Sequence, residues 1–165
     1  LGRGGPGRLL AHHSSLPRSL WFEGVSTTVG YRRGVERFEA SALTHMLVVA
    51  DVERRRDWYM NVLDAQLFGE YGGTSVVLEL LGSWILLVNG GGPDAGKPGV
   101  TLAPPADPDR PSVQLIFRVA DCIGQYELLS DRGADFLAEP HIRDGETRAF
   151  FRDPDGHLFE ISQLT

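Results

Sequence analysis

Residues 43–50 form a run of Leu, Met, Val and Ala interrupted only by Thr44 and His45, the pattern of a strand buried against a core. The run stops at Asp51, and apolar positions then recur at helical spacing as Val52, Tyr59, Val62 and Leu63. Asp51 stands where a side chain can accept the free backbone N–H groups of a starting helix. The same sequence of events occurs again: a strand pattern over 113–120, Asp121 as the cap, and a stripe of Ile123, Tyr126 and Leu128 or Leu129. The tripeptide Val-Ala-Asp closes both strands, at 49–51 and 119–121. The second helix should end at Gly133, where a left-handed backbone costs glycine nothing, and Asp64 should occupy that conformation in the first copy at some cost.

After each helix the period falls from 3.6 to 2, which marks strands. They are expected over 66–70, 74–81 and 83–88 in the first copy, and over 135–138, 147–152 and 157–163 in the second, with Asp153, Pro154, Asp155 and Gly156 as the last turn. Each copy therefore reads βαβββ. The expected organisation is an N-terminal extension over 1–40, taken as disordered because it lacks any sustained period, and one domain over 41–163. That domain divides into module one at 42–90, a Gly- and Pro-rich linker at 91–111 with a short strand around 99–102, and module two at 112–163. The predicted class is α+β, two βαβββ modules forming paired curved mixed sheets around a cleft. A sheet with one face covered by a helix needs a partner to bury or enclose the other, and pairing the two halves creates that cleft.

Composition narrows the functions. The 165 residues carry 16 Lys and Arg against 22 Asp and Glu, a formal charge of −6, so the chain as a whole repels nucleic-acid phosphates and no nucleic-acid partner is expected. No apolar stretch approaches the roughly 20 residues of a membrane helix, so no membrane partner is expected either. The lone cysteine, Cys122, cannot form an internal disulfide, which suits a cytoplasmic location.

Three stretches resemble the glyoxalase, bleomycin-resistance and extradiol-dioxygenase superfamily, known as the vicinal-oxygen-chelate (VOC) superfamily. They are residues 44–54 (THMLVVADVER), the helix pair Trp58 and Tyr59, and residues 150–160 (FFRDPDGHLFE). The resemblance spans about 42–163 and implies the paired-module fold. It also implies a small-molecule substrate or ligand, a homodimer and, in many members, a divalent metal such as Zn, Ni, Mn or Fe. Carried onto this sequence, the implied metal ligands are His45, Gln114 and Glu160, with Glu160 also the candidate catalytic proton shuttle. The position of a common fourth ligand is Leu86, which cannot coordinate.

His45 raises a question of register. It precedes Asp51 by six residues, whereas Thr44 and Gln114 each stand seven before their capping aspartates. A shift of one residue turns a strand side chain to the opposite face, so His45 reaches the cleft only across a β-bulge. Glu160 should alternate onto one face with Leu158 and Ser162, and His157 should face outward. His141 reads as a loop residue. Glu79 is a candidate second carboxylate for proton transfer, although a solvated or paired role is the favoured reading. Trp84, Phe68, Tyr71 and Phe150 serve a pocket, a core or an interface equally well. Cys122 reads as structural, and Arg54, Arg55 and Arg56 as a solvated helix face.

Three functions stay open on the sequence. One is a small metal-dependent enzyme, a lyase or isomerase of glyoxalase type or a dioxygenase, acting on a molecule with adjacent oxygens. The second is a metal-free protein that sequesters a small aromatic or cationic compound, which Thr44, Gln114 and Leu86 favour. The third is an interaction domain with a vestigial cleft.

Overall fold

The computed structural model describes residues 39–164, so the extension expected over 1–40 lies almost wholly outside the described residues. β1 (Thr44–Val49) leads into Asp51, whose extended backbone and carboxylate cap α1 (Val52–Leu63) by accepting the Arg54 N–H at 3.1 Å. Val52, Tyr59 and Val62 are its buried residues. The helix ends on Asp64 at φ 57°, the left-handed position anticipated for it. α2 (Cys122–Asp131) repeats the design, Asp121 accepting the Gly124 N–H at 3.0 Å and Gly133 following at φ 95°. Its buried face differs from the expected stripe: Cys122 and Leu129 are buried and Ile123 is exposed. The cap fixes the helical phase, so the first helical residue, Cys122 like Val52, is the one directed at the sheet.

β2 (Gln66–Tyr71), β3 (Ser75–Leu80) and β4 (Ser83–Asn89) complete the first sheet in the order β1-β4-β3-β2, with β1 parallel to β4 and the other pairs antiparallel. The second sheet holds β5 (Gln114–Arg118), β6 (Asp135–Phe136), β7 (His141–Arg143), β8 (Glu146–Arg152) and β9 (Leu158–Leu164), in the order β5-β9-β8-β6 with β7 also on β8. β7 is an addition to the sequence reading, and His141 lies on it rather than in a loop. β6 and β7 pair with opposite ends of β8, Asp135 with Arg152 and His141 with Arg148, so they act as one strand interrupted before Pro140. The short strand expected around 99–102 is reduced to a single bridge between Gly91 and Leu102.

On each sheet one face enters a common core. Val76, Leu78, Ile85 and Leu87 bring the first sheet to it, and Ala149, Phe151, Phe159 and Ile161 the second. Phe159 stacks on Phe151 at 5.3 Å and on Phe117 at 5.8 Å, and Tyr59 of α1 meets its edge at 6.2 Å. The two modules thus bury their apolar faces together.

A polar clamp fixes their relative position. Tyr59 Oη donates to Asp153 Oδ2 at 2.7 Å, while Asp153 Oδ1 accepts the N–H groups of Asp155 and His157 at 3.0 and 2.8 Å. Burial pushes the Asp153 carboxyl above its usual range, against the lowering effect of the Tyr59 bond. Burial likewise holds the Tyr59 phenol well above its ordinary value, with the Asp153 charge acting in the same sense. Asp155 accepts Arg55 Nε at 2.5 Å and the Ala50 N–H at 3.1 Å. His157, expected to face outward, instead donates from Nε2 to the Val48 carbonyl at 2.8 Å. The arginine run is likewise more than a solvated face. Arg55 belongs to this clamp, Arg56 pairs with Asp57 and Glu70, and Arg54, the most exposed of the three, reaches back to Asp51 at 3.5 Å.

Candidate functional site

β1 and β5 are the outer strands of their sheets. A cavity of about 780 Å³ lies against both of them, within the size range of small-molecule sites. Residues 44–48 and 112–115 all line it, and since successive strand residues point to opposite faces, the cavity lies along the strand edges. The third wall comes from the linker. Gly91 and Leu102 exchange backbone hydrogen bonds at 2.9 and 2.8 Å, closing one end of it. A Cβ on Gly90 would lie 2.7 Å from the Leu102 carbonyl, so the chain passes here only with glycine. At the other end Arg152 donates to the Pro108 carbonyl at 3.3 Å and to Asp109 at 2.6 Å. Between these anchors the strap brings Pro105 and Asp107 to the cavity, and Arg110 lines it just beyond the second. Sequence reasoning missed these residues, because a Pro-rich segment has no period from which to read a direction.

Gln114 and Glu160 are brought together: Gln114 Nε2 donates to Glu160 Oε2 at 2.9 Å. Phe159 and Ile161 enter the core, and Leu158, Glu160 and Ser162 alternate onto the other face as expected. Gln114 is exposed and lines the cavity, whereas Glu160 is only 3% exposed and reaches the wall through the Gln114 amide. Further along the same face Arg118 donates to Ser162 Oγ at 2.5 Å and to Glu146 at 2.7 Å. The Ser162 hydroxyl and then Arg118 hold the Glu146 carboxyl below its usual range.

His45 and Thr44 both line the cavity, but on different faces of β1. The β1–β4 register is unbroken from Thr44 opposite Trp84 to Val49 opposite Asn89, so β1 itself contains no bulge that would turn His45 to the face of Thr44. His45 pairs with Ile85, which is buried in the core, and Thr44 lies with Met46 and Leu86 on the other side. The donors at the cavity end of that side are thus a hydroxyl at Thr44, an amide at Gln114 and the carboxylate of Glu160, which Gln114 already engages. Among the described residues no group of three or more His, Cys, Asp or Glu could hold a metal ion. A hydroxyl, an amide and a single carboxylate do not make a fitting set for Zn, Ni, Mn or Fe, which take imidazole, thiolate or several carboxylates.

The remaining candidates fall elsewhere. Glu79 Oε1 accepts the Gly82 N–H at 2.6 Å and so braces the β3–β4 turn. Phe68 and Trp84 pack edge to face at 4.7 Å, and Phe150 carries Arg148 at 5.9 Å from its ring centre. Cys122 is fully buried, and burial, with the Asp121 charge, pushes its thiol up, away from nucleophilic use. Among the described residues no helix is long and apolar enough to cross a membrane.

A family model, that of the glyoxalase/bleomycin resistance protein/dioxygenase superfamily, matches residues 42–161. A curated relative, the uncharacterised protein YetH of Bacillus subtilis (strain 168), is 33% identical over 49 residues. That alignment covers 30% of this chain and 41% of YetH, so the chain matches less than half the length of that relative. Among solved structures, a glyoxalase/bleomycin resistance protein/dioxygenase from Nocardioides has a TM-score of 0.60 at 20% identity, covering 79% of this chain and 87% of its own. TioX from Micromonospora sp. ML1 has a TM-score of 0.58 at 22% identity, with 76% and 100% covered. The fosfomycin resistance protein FosX from Listeria monocytogenes has a TM-score of 0.58 at 17% identity, with 78% and 96% covered. At these identities the structural likeness bears on fold alone.

Proposed function

Because the chain belongs to the glyoxalase/bleomycin resistance protein/dioxygenase superfamily, we propose that it binds a small organic molecule in the cavity between β1, β5 and the linker strap, and does so without a metal ion. The observation that carries this reading is the unbroken β1 register, which leaves Thr44 rather than His45 on the side of Leu86. The metal-dependent lyase, isomerase or dioxygenase expected from the resemblance needs His45 beside Gln114 and Glu160, and the donor set gives it no support. Met46, Val48, Pro105, Val113 and Leu158 offer the ligand an apolar wall, and Thr44, Gln114, Asp107 and Arg110 offer hydrogen bonds. In this reading Gln114 touches the ligand. Glu160 is a positioning residue that holds the Gln114 amide, rather than a proton shuttle. A homodimer stays within the proposal, since β1 and β5 are sheet edges that a second copy could reach.

The test is calorimetric titration of aromatic and cationic compounds, with fosfomycin included for the Listeria neighbour, in metal-free buffer. A compound that binds there, and binds about tenfold more weakly to Gln114→Ala, is the expected result. Glu160→Gln, which keeps an acceptor for Gln114, should change affinity less than Glu160→Ala. A ligand that binds only after Zn, Ni, Mn or Fe is added would overturn the reading.

A further inference from the structure

A second cavity, of about 280 Å³, opens where α2 meets the end of α1, the β3–β4 turn and the end of β5. Leu63, Leu80, Phe117, Leu128, Leu129 and Ile161 supply its apolar wall, and it shares no lining residue with the β1–β5 cavity. The internal repeat explains why it is there. Counted from the capping aspartates, Tyr59 of α1 corresponds to Leu129 of α2, Arg55 to Gln125 and Trp58 to Leu128. At the first junction the Tyr59 ring is fully buried, Arg55 pairs with Asp155, and the turn over residues 153–157 leaves an opening of about 420 Å³ that lies outside the Tyr59 ring, against Trp58, Gly133 and residues 152–156. At the second junction Leu129 is smaller than the tyrosine, and the turn between β3 and β4 is only Leu81 and Gly82. The Gln125 amide makes no side-chain hydrogen bond among the described residues, although Gln125 is half-buried and lines the cavity. The ring that Tyr59 supplies at the first junction has no counterpart at the second, where the apolar wall around Leu129 is left open.

We propose that this cavity is a ligand site for a small uncharged aromatic molecule, a single ring with one hydrogen-bonding group, which occupies the place that Tyr59 fills at the other junction and bonds to Gln125. Size permits it, because an apolar cavity of about 150 Å³ already accommodates benzene. The ligand is uncharged because the ionic groups at the rim have partners. Arg132 pairs with Asp64 at 2.6 Å, Arg118 with Glu146 at 2.7 Å, and Glu79 accepts the Gly82 N–H. A charged guest would have to displace one of these. The site stands apart from the β1–β5 cavity, so its fate and that of the function proposed there are independent.

The experiment is a titration of phenol into the full chain, followed by methyl NMR. Saturable shifts are expected at the methyl groups of Leu80, Leu129 and Ile161, with none at Met46 or Val48. Leu129→Tyr rebuilds the Tyr59 arrangement and should weaken phenol at least about tenfold. Leu128→Trp copies Trp58 at a position 40% exposed, which spares the fold, and should obstruct the same cavity. Absence of saturable shifts at these methyls, or shifts that survive both substitutions, overturns the proposal. So do shifts that follow protein concentration alone, which would place a second copy of the chain, through exposed Leu81 and Leu128, in the groove instead.

Discussion

Thr44 and Gln114 occupy the same place in the two copies of the repeat, and both reach one cavity. Their equivalence was legible because it is a matter of counting from Asp51 and Asp121. The Gln114–Glu160 pairing was legible in part, since alternation alone puts Glu160 on the face of Leu158 and Ser162. It could not be read that Glu160 would sit behind Gln114 and away from the wall. His157 was misread because alternation gives a direction along a strand, and the residue precedes the strand, where the turn over 153–157 sets its course. That turn yields a prediction. Tyr59→Phe removes a charge-assisted hydrogen bond and should cost about 1.5–3 kcal/mol in denaturant unfolding. Asp153→Ala should cost more, because it strands the donors of Tyr59, Asp155 and His157 together. The pH dependence has a definite sign. The Asp153 carboxyl binds its proton more tightly folded than unfolded, so ionising it takes away stability as pH rises from about 4. Asp153→Asn lacks this loss. Its stability relative to the parent should rise across the acidic range, and a parallel pair of pH profiles would contradict the assignment.

At the scale of elements, the helices were the most legible because a cap fixes both start and phase. Even so, the cap outweighed the apolar pattern in α2 and turned Cys122 inward in place of Ile123. β7 was not legible, because three residues after a proline are too few to show a period. The linker was recognised by its Gly and Pro content, but its role as a cavity wall depends on anchors far away in sequence, Arg152 and Gly156. Gly156 holds φ +89°, and a Cβ there would come within 2.8 Å of Pro108. Gly156→Ala should therefore destabilise by about 1–3 kcal/mol and loosen the strap, seen as faster amide exchange over 103–110. The β3–β4 turn offers the opposite case. Leu81 carries φ 53° while 79% exposed, so it bears left-handed strain and gains little from burial. Leu81→Asn should raise stability by about 0.5–1 kcal/mol, and a loss would show that the leucine makes a contact of its own.

Across the whole molecule, two βαβββ modules were legible in the sequence as a repeat of pattern. The faces by which they meet were not, because the residues that join them, Tyr59, Phe159 and the turn over 153–157, look like ordinary core and loop positions. Their shared core implies one cooperative unit. Phe159→Ala should cost about 3–5 kcal/mol and lower both modules' unfolding together, with a single transition by every probe. The same joining places the edges of β1 and β5 on one cavity, and in the proposed reading the phase of β1 there determines which donors face a ligand. The most direct test is the metal content of the chain, prepared without chelator and offered Zn, Ni, Mn and Fe(II), measured beside that of Thr44→His. If the unbroken register governs the site, the parent chain takes up no stoichiometric ion, and Thr44→His, which adds an imidazole on the side of Leu86, gains one. A parent chain that holds an ion and loses it on His45→Ala would contradict the account.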